Sequence, residues 1–270
     1  MSASTFFLGL VSVSAALSAI MAIAWLVWRS SRNSGWVDTI WTFGLGLVGF
    51  IGAVAAKPMQ LQSILVAAMA AIWALRLGSH IARRTRGITD DPRYAKLIQD
   101  WGADASPRMF GLLQKQSIVS IPLALSMWLA ANAPSPVPSS QATIAILIFV
   151  VAVGGEAVAD EQLRRFRHDT ANKGRVCDIG LWRWSRHPNY FFEWLGWLAY
   201  PVLALDLTGG DLWGAFALLA PLCMYWLLVY VSGIPPLEEH MLAHRGEAFR
   251  RYQMTTNAFF PGPPKTFAGG

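Results

Sequence analysis

Seven apolar runs, at residues 6–28, 36–56, 61–81, 117–133, 142–159, 190–207 and 212–232, occupy most of the 270-residue chain. Each approaches the roughly 20 helical residues that cross a ~30 Å hydrocarbon core. One such run reads equally as a buried helix of a large soluble protein, but seven in succession do not. The sequence therefore predicts an all-α, polytopic bundle of about seven transmembrane helices. It reads as a single transmembrane domain over residues 1–270, without internal repeat, low-complexity tract or soluble domain.

The charges agree with lipid as the solvent. Only 14% of residues are charged and 54% are hydrophobic, where a soluble domain carries about a quarter charged. A charge at the centre of a span costs about 2.5–3.5 kcal/mol, so charges collect between spans. Asp38, Arg76, Glu156 and Glu193 are the exceptions. Arg29 and Arg32 follow the first run; Arg83, Arg84, Arg86 and Arg108 follow the third; Arg164, Arg165, Arg167 and Arg186 follow the fifth; Arg245, Arg250 and Arg251 lie in the tail. All fall on one side, which the retention of Lys and Arg makes cytoplasmic, so the amino terminus is expected outside and the carboxy terminus in the cytoplasm. Topology accounts for the net charge of +6, and no nucleic-acid motif accompanies it. The first run lacks a basic leader and reads as a retained helix. Cys177 and Cys223 suggest neither a disulfide nor a zinc site.

Four polar groups could carry chemistry. The first is Arg186-His187-Pro188-Asn189-Tyr190, followed by Glu193, Trp194 and Trp197. Pro188 suits the first turn of a helix, whose free N–H groups favour an anion, and Arg186 adds a planar fork for phosphate or carboxylate. Asn189 and Glu193 share one helical face. Arg and Tyr also serve as interfacial anchors, but an acid inside an apolar run tips the reading toward function. The second group is Glu156, Asp160, Arg164 and Arg167, a stripe of acids then cations that could hold a nucleotide but that by itself reads first as an intrahelical ladder from Asp160 to Arg164. The third is Asp38 with Trp41, and Trp73 with Arg76: a structural pair, or a proton donor and a phosphate ligand. The fourth is the tail from Glu238, Glu239 and His240 through His244, Arg245 and Tyr252. His240 and His244 are four apart, but no third ligand is evident, so no metal is expected. Asp90-Asp91-Pro92 reads as a turn into a short amphipathic helix ending at Trp101.

At these residues the sequence resembles the membrane reductases of the steroid 5α-reductase and sterol delta-14-reductase kind, including their bacterial relatives of uncharacterised function. The Arg-His-Pro-Asn-Tyr segment with its following acid, the paired glutamates, the Arg-Gly-Glu-x-Phe-x-x-Tyr spacing and the closing Phe260-Pro261 carry the resemblance. It implies NADPH-dependent reduction of a carbon–carbon double bond conjugated to a ketone, in a hydrophobic substrate entering from the bilayer. The only other partner it implies is membrane lipid, with the active site toward the cytoplasm and the cofactor-binding half over about 142–264. By position, Asp160, Arg164 and Arg167, preceded by Glu156, match residues at the adenosine and phosphate end. Asn189, Glu193 and Trp197 match positions lining the cofactor, Arg186 and Tyr190 with the intervening His187 match the sterol-reductase motif, and Glu239, His240, Arg245 and Tyr252 fall in the matching tail. Arg76 matches an arginine of the third span, and Arg84 and Arg86 lie near a basic pair there. At the acid the sequence departs: a glutamine–glutamate pair and a tyrosine of steroid reductases are replaced by Asp38 and Trp73, and an indole donates a hydrogen bond but not a proton. Asp38, Trp73 and Glu193 are the catalytic candidates. The alternative is an isoprenylcysteine carboxyl methyltransferase-like enzyme using S-adenosylmethionine, which shares the Arg-His-Pro-x-Tyr segment and the paired glutamates. Asn189 with Glu193, the acid-then-arginine stripe and two additional amino-terminal spans favour the reductase.

Overall fold

A computed structural model describes residues 1–87 and 91–265, the side chains of Pro92 and Arg93 excepted. In chain order its helices are α1 (Ala3–Ser31), α2 (Gly35–Val54), α3 (Leu61–Arg86), α4 (Pro92–Trp101), α5 (Ala105–Ala131), α6 (Ser139–His168), α7 (Pro188–Trp197), α8 (Ala199–Ala204), α9 (Leu219–Trp226) and α10 (Ile234–Thr255). No strand occurs among the described residues. Among the described residues, five stretches are long and apolar enough to cross a membrane: α1, α2, α3, α6 and Trp213–Thr255, the last running through α9 and a π turn at Leu227–Val231 into α10. The chain is thus an all-α, multi-pass membrane protein. All but the last two residues of the run at 117–133 lie within α5, a helix of 27 residues, and most of the run at 190–207 is divided between α7, of 10 residues, and α8, of 6.

Several helices outrun their apolar cores. α3 continues past residue 81 to Arg86, and α5 begins at Ala105, well before the run at 117. Helical hydrogen bonds close within the segment itself, so a helix need not stop where lipid does. Arg83, Arg84 and Arg86 in the last turns of α3 also complement its negative end. Starts are fixed locally. The Ser2 hydroxyl accepts the Thr5 N–H at 3.2 Å, Gln60 and Ser63 form a reciprocal box at the head of α3, and Pro188 occupies the first turn of α7. The short helix after Asp91 forms as the turn chemistry predicts; Asp90 lies outside the described residues.

The chain divides into two compact units, Met1–Ala142 with Tyr200–Ala220, and Thr143–Ala199 with Pro221–Gly270. In the first, α2 packs on α3, and α1 on α5. A methyl group at Gly46 would collide with the Ala74 side chain, and one at Gly49 with Met127. Small residues at these points let the backbones approach, the usual solution where lipid removes the hydrophobic drive between helices. Polar ties reinforce the contacts: the Ser18 hydroxyl donates to Gln114 Oε1 at 2.7 Å, Trp25 Nε1–H to the Ser106 carbonyl at 3.0 Å, and the buried Ser63 hydroxyl to the Ala131 carbonyl at 2.9 Å. Met21, Ala24, Trp28, Val37, Tyr94, Met109 and Leu113 form one buried cluster, which fixes α4 against α1, α2 and α5.

In the second unit α6 meets α7 at Gly155, where any side chain would strike the Phe192 ring. The loop between these helices is held to α6. Gly180, at φ 57°, occupies the left-handed region that favours glycine. Its neighbour Leu181 donates its N–H to Gln162 Oε1 at 2.9 Å, and Trp182 Nε1–H donates to the Ala159 carbonyl at 2.9 Å. Phe166, Cys177 and Trp182 bury together. Gly246, at φ 50°, bends α10 partway along.

Candidate functional site

In the second unit the Arg-His-Pro segment is tied to the tail. Pro188 starts α7, so Arg186 and His187 emerge just ahead of its first turn. Arg186 Nε–H donates to Glu238 Oε1 at 2.7 Å and Nη2–H to Oε2 at 3.3 Å, while Nη1–H donates to the Gln253 and Thr256 carbonyls at 3.1 and 2.6 Å. Gln253 Nε2–H donates to Glu238 Oε2 at 2.6 Å, and His187 Nε2 lies 2.8 Å from Oε1. Glu238 is therefore a hub that joins α10 to the residues preceding α7. The backbone continues the union: Arg186 N–H donates to the Asn257 carbonyl at 2.8 Å, and the Ser185 hydroxyl donates to the Phe259 carbonyl at 2.9 Å. Tyr252 O–H donates to the Trp182 carbonyl.

His187 is the unusual member. Its side chain is 3% exposed, its ring stacks on Tyr190 at 5.4 Å, and Nδ1 is buried with no hydrogen-bond partner among the described residues. With Nε2–H donating to the carboxylate, Nδ1 carries a lone pair that a ligand N–H or O–H can fill. Burial pushes the imidazole pKa below its usual value, and this outweighs the opposing pull of Glu238. The folded state thus binds fewer protons at His187 than the unfolded chain. Its contribution to stability is complete above the ordinary histidine pKa of about 6.5 and is lost as the pH falls through that value toward the depressed folded one. Thermal unfolding between pH 8 and pH 5 checks this: stability should decline below about pH 6.5, and a His187→Gln variant should lose that part of the slope.

The remaining expected residues of this unit fall into three sets. Glu193 and Trp197 are both buried on α7, and Trp197 Nε1–H donates to Glu193 Oε1 at 2.9 Å, with Asn189 half-buried one turn earlier. Glu156, Asp160, Arg164 and Arg167 all lie on α6, Glu156 buried at 5% exposure. The ladder expected from Asp160 to Arg164 takes a different partner. Arg164 Nε–H and Nη2–H grip Glu161 at 2.6 and 2.7 Å, and Arg165 Nε–H reaches the same carboxylate at 2.6 Å. Glu161 can accept both cations at once, three and four residues away, which the fork geometry of arginine rewards. On α10, Glu239, His240 and Arg245 are exposed and take no part in the hub. Of the paired glutamates, Glu238 forms the hub and Glu239 faces outward. Nothing local separates two adjacent glutamates, because the choice depends on which one faces residues some fifty positions away in the chain.

In the first unit Asp38 heads a polar chain. Tyr94 O–H approaches Asp38 Oδ1 at 3.5 Å, and Gln116 Nε2–H donates to the Tyr94 oxygen at 2.8 Å. The Ser120 hydroxyl donates to the Gln116 carbonyl at 2.7 Å and accepts Trp41 Nε1–H at 2.7 Å. Trp73 packs edge-on against Trp41, ring centroids 6.3 Å apart. Tyr94, buried at 5% exposure, was not among the sequence candidates; a tyrosine two residues into a predicted amphipathic helix reads as an interfacial anchor. Arg76 is half-buried, and Arg84 and Arg86 are exposed at the end of α3.

The family model described as "Protein of unknown function (DUF1295)" matches residues 24–256. Over 99 residues the chain is 34% identical to "Uncharacterized protein C594.04c" of Schizosaccharomyces pombe, a match covering 36% of this chain and 27% of that protein. The chain thus spans about a quarter of that relative's length. No solved structure shows a significant match.

Proposed function

Starting from a chain that belongs to the DUF1295 family, we propose that it is an NADPH-dependent membrane reductase of steroid 5α-reductase type, acting on the double bond of a 3-oxo-Δ4 steroid or a similar lipophilic enone. The observation that carries the reading is the buried His187 Nδ1, an acceptor without a donor among the described residues, in a segment anchored at Ser185 and Arg186. A nicotinamide carboxamide or a ribose hydroxyl supplies the missing donor, so the residues suit that end of a dinucleotide. Bound NADPH would supply a hydride to the β-carbon of the enone.

The chain's own residues then have separate tasks. Glu193, held by Trp197, offers a carboxylate to an amide or hydroxyl of the dinucleotide, and His187 orients it by accepting a hydrogen bond. Arg167 and the exposed Arg245 are the cations assigned to its phosphates. Arg186 is not assigned to them, because its guanidinium donors already serve Glu238 and two carbonyls. Within the first unit Tyr94, between Asp38 and Gln116, holds a phenolic proton, which suits it to the role of a general acid. It joins Asp38 as a candidate acid; the indole of Trp73 has no acidic proton to give. The full topology in this proposal has about seven spans, the amino terminus outside and the site open to the cytoplasm, as the one-sided distribution of Arg and Lys supports.

Thermal unfolding of the detergent-purified protein over a range of NADPH and S-adenosylmethionine concentrations tests the class. A ligand at 100 times its Kd adds about 2.7 kcal/mol. The reductase reading expects stabilisation by NADPH alone, weakened in Glu193→Ala and Arg167→Ala. Stabilisation by S-adenosylmethionine alone would replace it with the methyltransferase, and unchanged NADPH affinity in both variants would overturn the placement of the cofactor.

A further inference from the structure

A cleft of about 580 Å³ opens in the first unit, in a region to which the reductase reading assigns no substrate. Its walls come from α1, α2 and α3: Ile23 on α1, Ile40 and Phe43 on α2, and Arg83 and Arg86 at the basic end of α3. From Trp36 to Leu47 it follows α2, a rise of about 16 Å. The two ends differ in chemistry. Toward Leu47 the lining is apolar, with Ile23 53% and Leu47 54% exposed, so this end faces the hydrocarbon of a bilayer. Toward Trp36 it carries two guanidinium groups, and among the described residues neither Arg83 nor Arg86 has an acidic partner. Between the ends lies Thr39, 4% exposed, whose hydroxyl is buried without a hydrogen-bond partner among the described residues.

We infer that this cleft is a binding site for an anionic phospholipid, with an acyl chain along Ile23, Ile40 and Phe43, the glycerol ester region beside Thr39, and the phosphate on Arg83 and Arg86. The charge pattern selects the occupant. A basic pocket between membrane helices recognises an anionic head group, and the adjoining apolar groove adds the burial of the attached chain. A neutral amphiphile would leave the two cations unanswered. A water-soluble anion would gain nothing from the groove. The inference uses neither the hub at Glu238 nor the chain at Tyr94, and it takes Arg86 for a lipid phosphate rather than for the cofactor.

The experiment takes the full-length protein in detergent and measures binding of phosphatidylglycerol and phosphatidylcholine with identical acyl chains by thermal shift. Each arginine near a lipid phosphate is worth about 1 kcal/mol, so Arg83→Gln or Arg86→Gln should weaken phosphatidylglycerol binding about fivefold, and the double variant about thirtyfold. The double lysine variant should restore it. A phosphatidylglycerol with a photoreactive group on the acyl chain should label α2 around Ile40 and Phe43 in the unmodified protein, so the site is tested even without variants. Equal affinity for phosphatidylcholine, equal stabilisation by inorganic phosphate, or labelling spread evenly over the lipid-exposed face of α6 would each overturn the proposal. Displacement of the labelled lipid by NADPH would also overturn it, returning Arg86 to the cofactor.

Discussion

Glu238→Ala lowers the stability of the folded protein by about 3–5 kcal/mol, the cost of removing one partner from a buried ion pair. The reason lies in what the carboxylate leaves behind. The Arg186 side chain is 11% exposed and His187 3%, so deletion strands a guanidinium with two unanswered donors and an imidazole with neither nitrogen partnered. Arg186 keeps its bonds to the Gln253 and Thr256 carbonyls, which is why the loss is not larger. Glu238→Gln should fall between, since an amide accepts from one neighbour but opposes another with its own N–H groups. Glu239→Ala, one residue along and exposed, should stay within about 0.5 kcal/mol of the unmodified protein. Thermal and denaturant unfolding in detergent would compare the three. Equal losses from Glu238→Ala and Glu239→Ala would show that the hub does not bear on stability.

Tyr94→Phe should reduce turnover about 10²–10⁴-fold, the usual contribution of a positioned general acid, while leaving the NADPH-induced thermal shift unchanged. Phenylalanine preserves the ring packed among Met21, Val37 and Met109, so the variant removes a proton without opening a cavity. The readout is NADPH oxidation in the presence of a lipophilic enone. Asp38→Asn should likewise slow turnover more than it weakens cofactor binding, because it alters the group toward which the phenol points. Trp73→Phe should have a small effect on rate. A large loss in Trp73→Phe with little in Tyr94→Phe would overturn the role of Tyr94 and point to a hydrogen bond from the Trp73 indole in its place.

These two residues mark where sequence reasoning stops. Glu238 and Tyr94 both lie in segments that the sequence singles out, the paired glutamates of the tail and the turn after Asp91. Neither was distinguishable there from its neighbours. Glu161 shows the same limit at shorter range: Asp160 and Glu161 have equal claims on Arg164 by spacing, and the conformation of the arginine fork decides between them.

The sequence by itself determined the class of the fold. Apolar runs of membrane length must close their backbone hydrogen bonds internally, and only a helix does so within one segment. It also determined the helix start at Pro188 and the segregation of charge to the ends of the runs, because these follow from interactions within a few residues. The tertiary structure alone decided which polar groups meet. Arg186 and Glu238 lie 52 residues apart in the chain, and Tyr94 and Asp38 56. A contact between side chains depends on separation in space, and over such chain distances that separation is set by the packing of whole helices, which no local pattern of residues encodes.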